Sequence, residues 1–203
     1  MTLIDDAQKK SPELHNKIVA EYETLIRVHE VQAPILEIMH GQQQSAITMS
    51  GILAGKECHA IGRGKSTAVG GVSFHQGNPN DMSALFGDQC FSTVIWDRAI
   101  ERDPFFWLTL AEIKRVLKPA GFLIVCAPGF GKTNKFGLKI TGAKGNVVPA
   151  LTATRALDTQ AADFWRASPQ CMRKVILNDF DVREVKMSFF IPHLFAVGQS
   201  RSQ

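Results

Sequence analysis

Two apolar runs, Thr93-Val94-Ile95-Trp96 and Phe122-Leu123-Ile124-Val125, bracket one well-punctuated helix. Asp103 can cap free backbone N–H groups at its start, Pro104 suits the first helical position, and Lys118-Pro119-Ala120-Gly121 stops it. Neither run alternates between apolar and polar residues, so each reads as a strand buried on both faces. Two buried strands joined through a helix form a crossover unit. Such a unit commits the chain to a parallel sheet covered on both sides.

The flanking sequence extends this pattern. Ser11-Pro12-Glu13 predicts the opening of an amphipathic helix whose apolar face is Leu14, Ile18, Tyr22, Leu25 and Ile26, within an N-terminal helical segment at residues 1–31. Ala33 to Ile38 reads as the first strand, followed by a turn over Met39, His40, Gly41 and three glutamines, then a helix from Ser45 to Leu53. Glu57–Ile61 and Val72–His75 read as the second and third strands. Ser168 can cap a helix that Pro169 starts and that carries Met172, Val175, Ile176 and Leu177. Phe180–Met187 alternates and Phe190–Val197 is apolar, which predicts a closing antiparallel hairpin.

A length of 203 residues suits a single domain over residues 1–203. The net charge of +4 comes from scattered lysines and arginines, so no nucleic-acid partner is expected. Cys58, Cys90, Cys126 and Cys171 are far apart and form no C-x-x-C pair, which points to neither a metal site nor a disulfide framework. No apolar run has the length of a membrane span and the N-terminus lacks a leader-like core, so a cytoplasmic protein is expected. Gly131-Lys132-Thr133 invites a phosphate-loop reading, but Cys126 stands where that loop needs its first glycine.

The segments FSTVIWDRAIER and EIKRVLKPAGFLIV resemble the second half of class I S-adenosylmethionine-dependent methyltransferases, in which an "FD-x-V-I" strand and an "LEH"-like turn precede a helix ending "RVLKPGG". More faintly, the resemblance covers most of the chain. It implies an α/β fold: a Rossmann-like doubly wound, mostly parallel seven-stranded sheet with an antiparallel last strand. It also implies S-adenosylmethionine as cofactor, held by the turn after the first strand. Here that turn keeps Ile-Leu-Glu-Ile and one glycine, so Glu37, Met39, His40 and Gly41 are the candidate cofactor residues, with Met39 where the family has its first glycine. At the tip of the second strand the family places an acid for the ribose hydroxyls; Gly62 stands there, followed by Arg63. Asp81 and Met82 match the acid and the backbone N–H that meet the adenine, the other reading of Asp81 being a cap for a helix through Phe86. Asp97 matches a residue at the carboxyl end of the fourth strand. Arg102 replaces a histidine that some relatives use as a base and, staying protonated, cannot take a proton; no catalytic residue is therefore assigned.

Residues 128–166 are expected to cover a small-molecule substrate, and Asp163-Phe164-Trp165-Arg166-Ala167-Ser168-Pro169 resembles a segment of methyltransferases acting on small molecules or glycans. No membrane partner is expected, and a homodimer is compatible with the chain. Two functions follow from the resemblance. One is methyl transfer to a small molecule; the other is a catalytically inactive methyltransferase-like interaction protein that has lost the cofactor.

Overall fold

The computed structural model describes residues 3–39, 51–64, 71–129, 131–132, 152–153, 163–188 and 193–201. Helix α1 (Leu3–Val28) leads into β1 (Ile35–Ile38), β2 (Cys58–Gly62), β3 (Val72–Gln76) and β4 (Phe91–Asp97). Helix α2 (Phe106–Val116) and β5 (Leu117–Pro128) follow, then a two-residue ladder of β6 (Gly131–Lys132) with β7 (Thr152–Ala153). A short helix α3 (Pro169–Cys171) continues as a wider turn over Met172–Ile176 before β8 (Phe180–Ser188) and β9 (His193–Ser200).

Seven strands form one sheet in the order β3-β2-β1-β4-β5-β9-β8. Strands β1 to β5 pair in parallel, and β9 runs antiparallel to both β5 and β8. This is the mostly parallel α/β sheet with an antiparallel last strand that the two apolar runs and the closing hairpin predict.

Period-2 alternation along buried strands sends side chains to two separate cores. On one face Ile35, Ile95, Ile124, Phe195 and Val197 pack against Ile18, Tyr22, Leu25 and Ile26 of α1. On the other, Leu36, Ile38, Val94, Trp96, Leu123 and Val125 pack against Leu110, Ile113 and Val116 of α2 and against Met172 and Ile176. The chain between Gly62 and Val72 is shorter than the dozen or so residues that a parallel crossover usually takes. On that side His59 and His75 stack on each other at a centroid distance of 5.3 Å, over the edges of Phe86 and Phe91.

Three local expectations change, and a fourth lies mostly outside the described residues. Helix α1 runs through Ser11 and Pro12 instead of starting there, because a proline removes one backbone bond and residues 3–10 still carry the helix across it. Helix α2 starts at Phe106: Asp103 does cap, but it accepts the Phe105 N–H at 2.9 Å, ahead of the first turn. No helix follows Asp81; residues 83–85 form a turn in which the Asp81 carboxylate accepts from the Ser83 hydroxyl at 2.7 Å. Of the predicted helix Ser45–Leu53, only Gly51–Leu53 lies in the described residues, as a single 3-10 turn. The Ser168 cap is as predicted, with its hydroxyl accepting the Cys171 N–H at 3.1 Å.

Candidate active site

The strand order reverses between β1 and β4, which places a crevice outside their carboxyl ends. Ile38 and Met39 supply one wall as β1 ends, and Trp96, directly beside Ile38 in the β1–β4 register, supplies the other with Ala99. Arg63, just past β2, Pro79, past β3, and Arg102 and Asp103, at the end of the 3-10 turn Ile100–Arg102, complete the lining. The crevice is shallow and open: the space it outlines is about 310 Å³ with the solvent at its mouth included.

A polar chain ties these elements together. Arg63 donates through Nε and Nη2 to Asn78 Oδ1 at 3.2 and 2.7 Å, and through Nη2 to Asn80 Oδ1 at 2.7 Å. The Asn80 amide donates in turn to Asp103 Oδ2 at 2.9 Å and to Thr109 Oγ1 at 2.8 Å, while the Thr109 hydroxyl donates to Asp103 Oδ2 at 2.6 Å. The tips of β2 and β3 are thus fixed to α2. From the far side, the backbone N–H groups of Phe164 and Trp165 donate to the Glu101 carbonyl, and the Trp165 indole donates to the Asp103 carbonyl at 2.8 Å. The Asp163–Arg166 ion pair braces the same segment.

The sequence-predicted residues divide. Met39 lines the crevice. Gly62 is buried at the end of β2, where an added Cβ would lie 3.4 Å from the Met39 carbonyl oxygen, an ordinary contact; its neighbour Arg63 is the lining residue. His40 and Gly41 lie outside the described residues, as does most of the expected substrate cover at 128–166. Glu37 is buried on the α1 face, near enough to Cys58 to help burial push that thiol up, and is not in the crevice wall. Asp81 is exposed, and the Met82 N–H that the resemblance assigns to adenine donates to Glu112 Oε2 at 2.6 Å. Glu112 is held by Arg115, which draws its carboxyl below the usual range.

Asp97 shares a face with Ile95, beneath α1, while Trp96 faces the crevice side. Its Oδ1 accepts the Tyr22 hydroxyl at 2.9 Å, and the Arg98 guanidinium clasps both its oxygens at 2.7–3.0 Å. Burial and then the Asp97 charge push the Tyr22 hydroxyl well up; burial and Asp97 do the same to the Cys126 thiol. Burial opposes the Arg98 charge, but Asp97 more than offsets it and holds the guanidinium protonated. The cluster is a buried fastening of α1 onto β4.

Sequence reasoning missed Trp96, Ala99, Pro79 and Asn80 as parts of the site. Trp96 is fully buried, and its indole N–H, itself shielded from solvent, has no acceptor among the described residues. Its place as the last apolar residue of a strand run was the available signal. Among the described residues, no group of three His, Cys, Asp or Glu could hold a metal ion, and no helix is long and apolar enough to cross a membrane.

Comparison with known proteins adds the family. A family model described as "Methyltransferase domain" matches residues 57–173, more than half of the chain. None of the curated protein sequences matches. Among solved structures, the chain is similar to an S-adenosylmethionine-dependent methyltransferase from Methanosarcina mazei, at 16% identity and a TM-score of 0.54, over 87% of this chain and 97% of that one. It is similar to the Burkholderia thailandensis 1,6-didemethyltoxoflavin-N1-methyltransferase with bound 1,6-didemethyltoxoflavin and S-adenosylhomocysteine, at 11% identity and a TM-score of 0.59, over 96% and 90%. A third likeness is to the complex between the Haloferax volcanii Trm112 methyltransferase activator and the putative methyltransferase, at 15% identity and a TM-score of 0.60, over 97% and 94%. At these identities the structures show a shared fold.

Proposed function

Because the chain belongs to the methyltransferase-domain family, we propose that it transfers the activated methyl group of S-adenosylmethionine to a small-molecule acceptor at the carboxyl edge of its sheet. The observation that carries this reading is the crevice at the β1/β4 switch point, where open α/β sheets bind their ligands. One structural relative is named for N1-methylation of a small heterocycle, which supports the small-molecule class.

The residues present fit the cofactor in part. Ile38, Met39, Pro79, Trp96 and Ala99 offer apolar walls suited to an adenine ring and a methionine chain. The tip of β2 fits less well, since a guanidinium stands beside the position of the ribose-binding acid. Bound there, S-adenosylmethionine would supply an electrophilic methyl carbon. What remains for the chain is to orient the acceptor in line and keep it close, and that contribution can be large without a dedicated acid or base.

Arg102 cannot remove a proton, and would instead hold an electron-rich acceptor by its charge. Asp103, the acid on the crevice wall, already accepts from Phe105, Thr109 and Asn80. The acceptor is therefore expected to be nucleophilic without a strong base, such as a thiolate or a ring nitrogen. Calorimetric titration with S-adenosylmethionine and S-adenosylhomocysteine tests the reading, the expected result being micromolar binding, roughly −8 kcal/mol. A cooperatively folded, ligand-free protein that binds neither compound would sink it and leave an interaction module with a methyltransferase fold.

A further inference from the structure

We propose that the tip of β2 is an anion-recognition subsite, in which Arg63 holds a phosphate or carboxylate carried by the ligand that fills the crevice. The inference rests on the methyltransferase reading only for the adenosyl ligand that it places there. Four observations support it. Arg63 lines the crevice, and the groups that orient it are the amide oxygens of Asn78 and Asn80, which fix the plane of the guanidinium without neutralising it. No carboxylate pairs with Arg63 among the described residues. A second guanidinium, that of Arg102, lines the same crevice. The acid on its wall among the described residues, Asp103, has its oxygens taken up by Phe105, Asn80 and Thr109.

The crevice therefore supplies donors and positive charge, and calls for acceptors. A neutral sugar diol next to Arg63 would be held by hydroxyl oxygens alone. A phosphate or carboxylate can accept from the Nη1 group, the donor that the two asparagines leave over, and meet the charge of the guanidinium as well. Asn78 and Asn80 hold one edge of the fork, and the Nη1 edge has no partner among the described residues, so the fork is oriented before the ligand arrives. On this argument the chain distinguishes an adenosyl ligand bearing an anionic group at its sugar end from one with a free diol.

The test is calorimetric titration of the wild-type protein and of Arg63→Gln and Arg63→Glu with adenosine, adenosine 2′-phosphate, adenosine 3′-phosphate and S-adenosylhomocysteine. The wild type is expected to bind one of the phosphates at least about tenfold more tightly than adenosine, the usual scale of a charge-assisted bond. Arg63→Gln should remove that advantage, and Arg63→Glu should invert it in favour of the free diol. Arg63 is exposed, so both variants should melt cooperatively, which the same samples can show. Equal affinity for adenosine and its phosphates, no binding of any of the four compounds by the folded wild type, or an advantage that survives Arg63→Gln would each overturn the subsite. S-adenosylhomocysteine separates the two ideas: its binding without a phosphate preference removes the subsite alone, while a phosphate preference without its binding supports the subsite and removes the methyltransferase reading.

Discussion

Ala120 sits at φ 60°, in the left-handed region, within the irregular first part of β5 between Leu117 and Phe122. A residue with a Cβ gives up about 1–2 kcal/mol there. Its carbonyl accepts from the Gln199 side chain at 2.9 Å, so the surrounding bonds hold the conformation. Ala120→Gly is therefore expected to raise the unfolding free energy by about 0.5–1 kcal/mol, the greater freedom of glycine in the unfolded chain cancelling part of the relief. Urea unfolding would show it, and a lower midpoint would refute the strain. Tyr22→Phe tests the fastening of α1 in the opposite direction. It leaves the buried Asp97 carboxylate one donor short, for an expected loss of about 1–3 kcal/mol in the same experiment. An unchanged midpoint would mean that Arg98 alone satisfies Asp97. These residues also mark how far the sequence could be read. Met39 was singled out because it stands where the resembled family has its first glycine, and the structure puts it on the crevice wall. Asp97 was misleading: its neighbour Trp96 alternates to the crevice face, and only the partner Tyr22, far away in sequence, shows that Asp97 is occupied.

At the scale of the element, β9 pairs on both sides, with β5 and β8, and carries Gly198. A Cβ on Gly198 would lie 2.7 Å from Leu177 Cδ2 and 2.9 Å from Phe180 Cβ, and both residues are buried. Gly198→Ala is expected to cost about 1–3 kcal/mol through displacement of the turn that leads into β8. Gly51→Ala, whose Cβ would meet nothing within 4 Å, is the control and should leave the melting temperature almost unchanged. Comparable losses in both variants would show that packing against β9 is not the cause. Strand β9 was legible as an apolar run, and β1, β4 and β5 likewise, because a strand buried on both faces leaves an unbroken signature. Helix starts were less legible. Ser11-Pro12-Glu13 marks a start only when nothing helical precedes it, and Asp81 uses its side chain for a turn with Ser83 that looks the same in sequence as a cap.

The whole molecule should lose stability on acidification in two separate steps. Burial, and then the nearby His59, draw the His75 imidazole below its ordinary value. A histidine with a depressed value binds its proton more readily when unfolded, so stability falls as the pH drops below about 6.5 and stops falling once the folded value is passed. Hydrogen bonds from Arg115 draw Glu112 down, and hydrogen bonds from Lys114 draw Asp179 down. Their contribution is complete above about pH 4.5 and is lost as the pH falls through their lower folded values. Each step belongs to a different part of the fold: the first to the β2–β3 edge, where His75 stacks on His59 and meets Phe86, the second to the α2 surface. Melting temperatures measured between pH 8 and 3 should therefore decline first near pH 6 and again near pH 4. His75→Phe, which keeps an aromatic ring against Phe86, should flatten the first decline and spare the second; Glu112→Gln should do the reverse while lowering stability at neutral pH, because Arg115 and the Met82 N–H lose a charged acceptor. A first decline that persists in His75→Phe would assign it to another histidine, and a wild-type curve flat from pH 8 to 5 would show that the β2–β3 edge carries no such coupling.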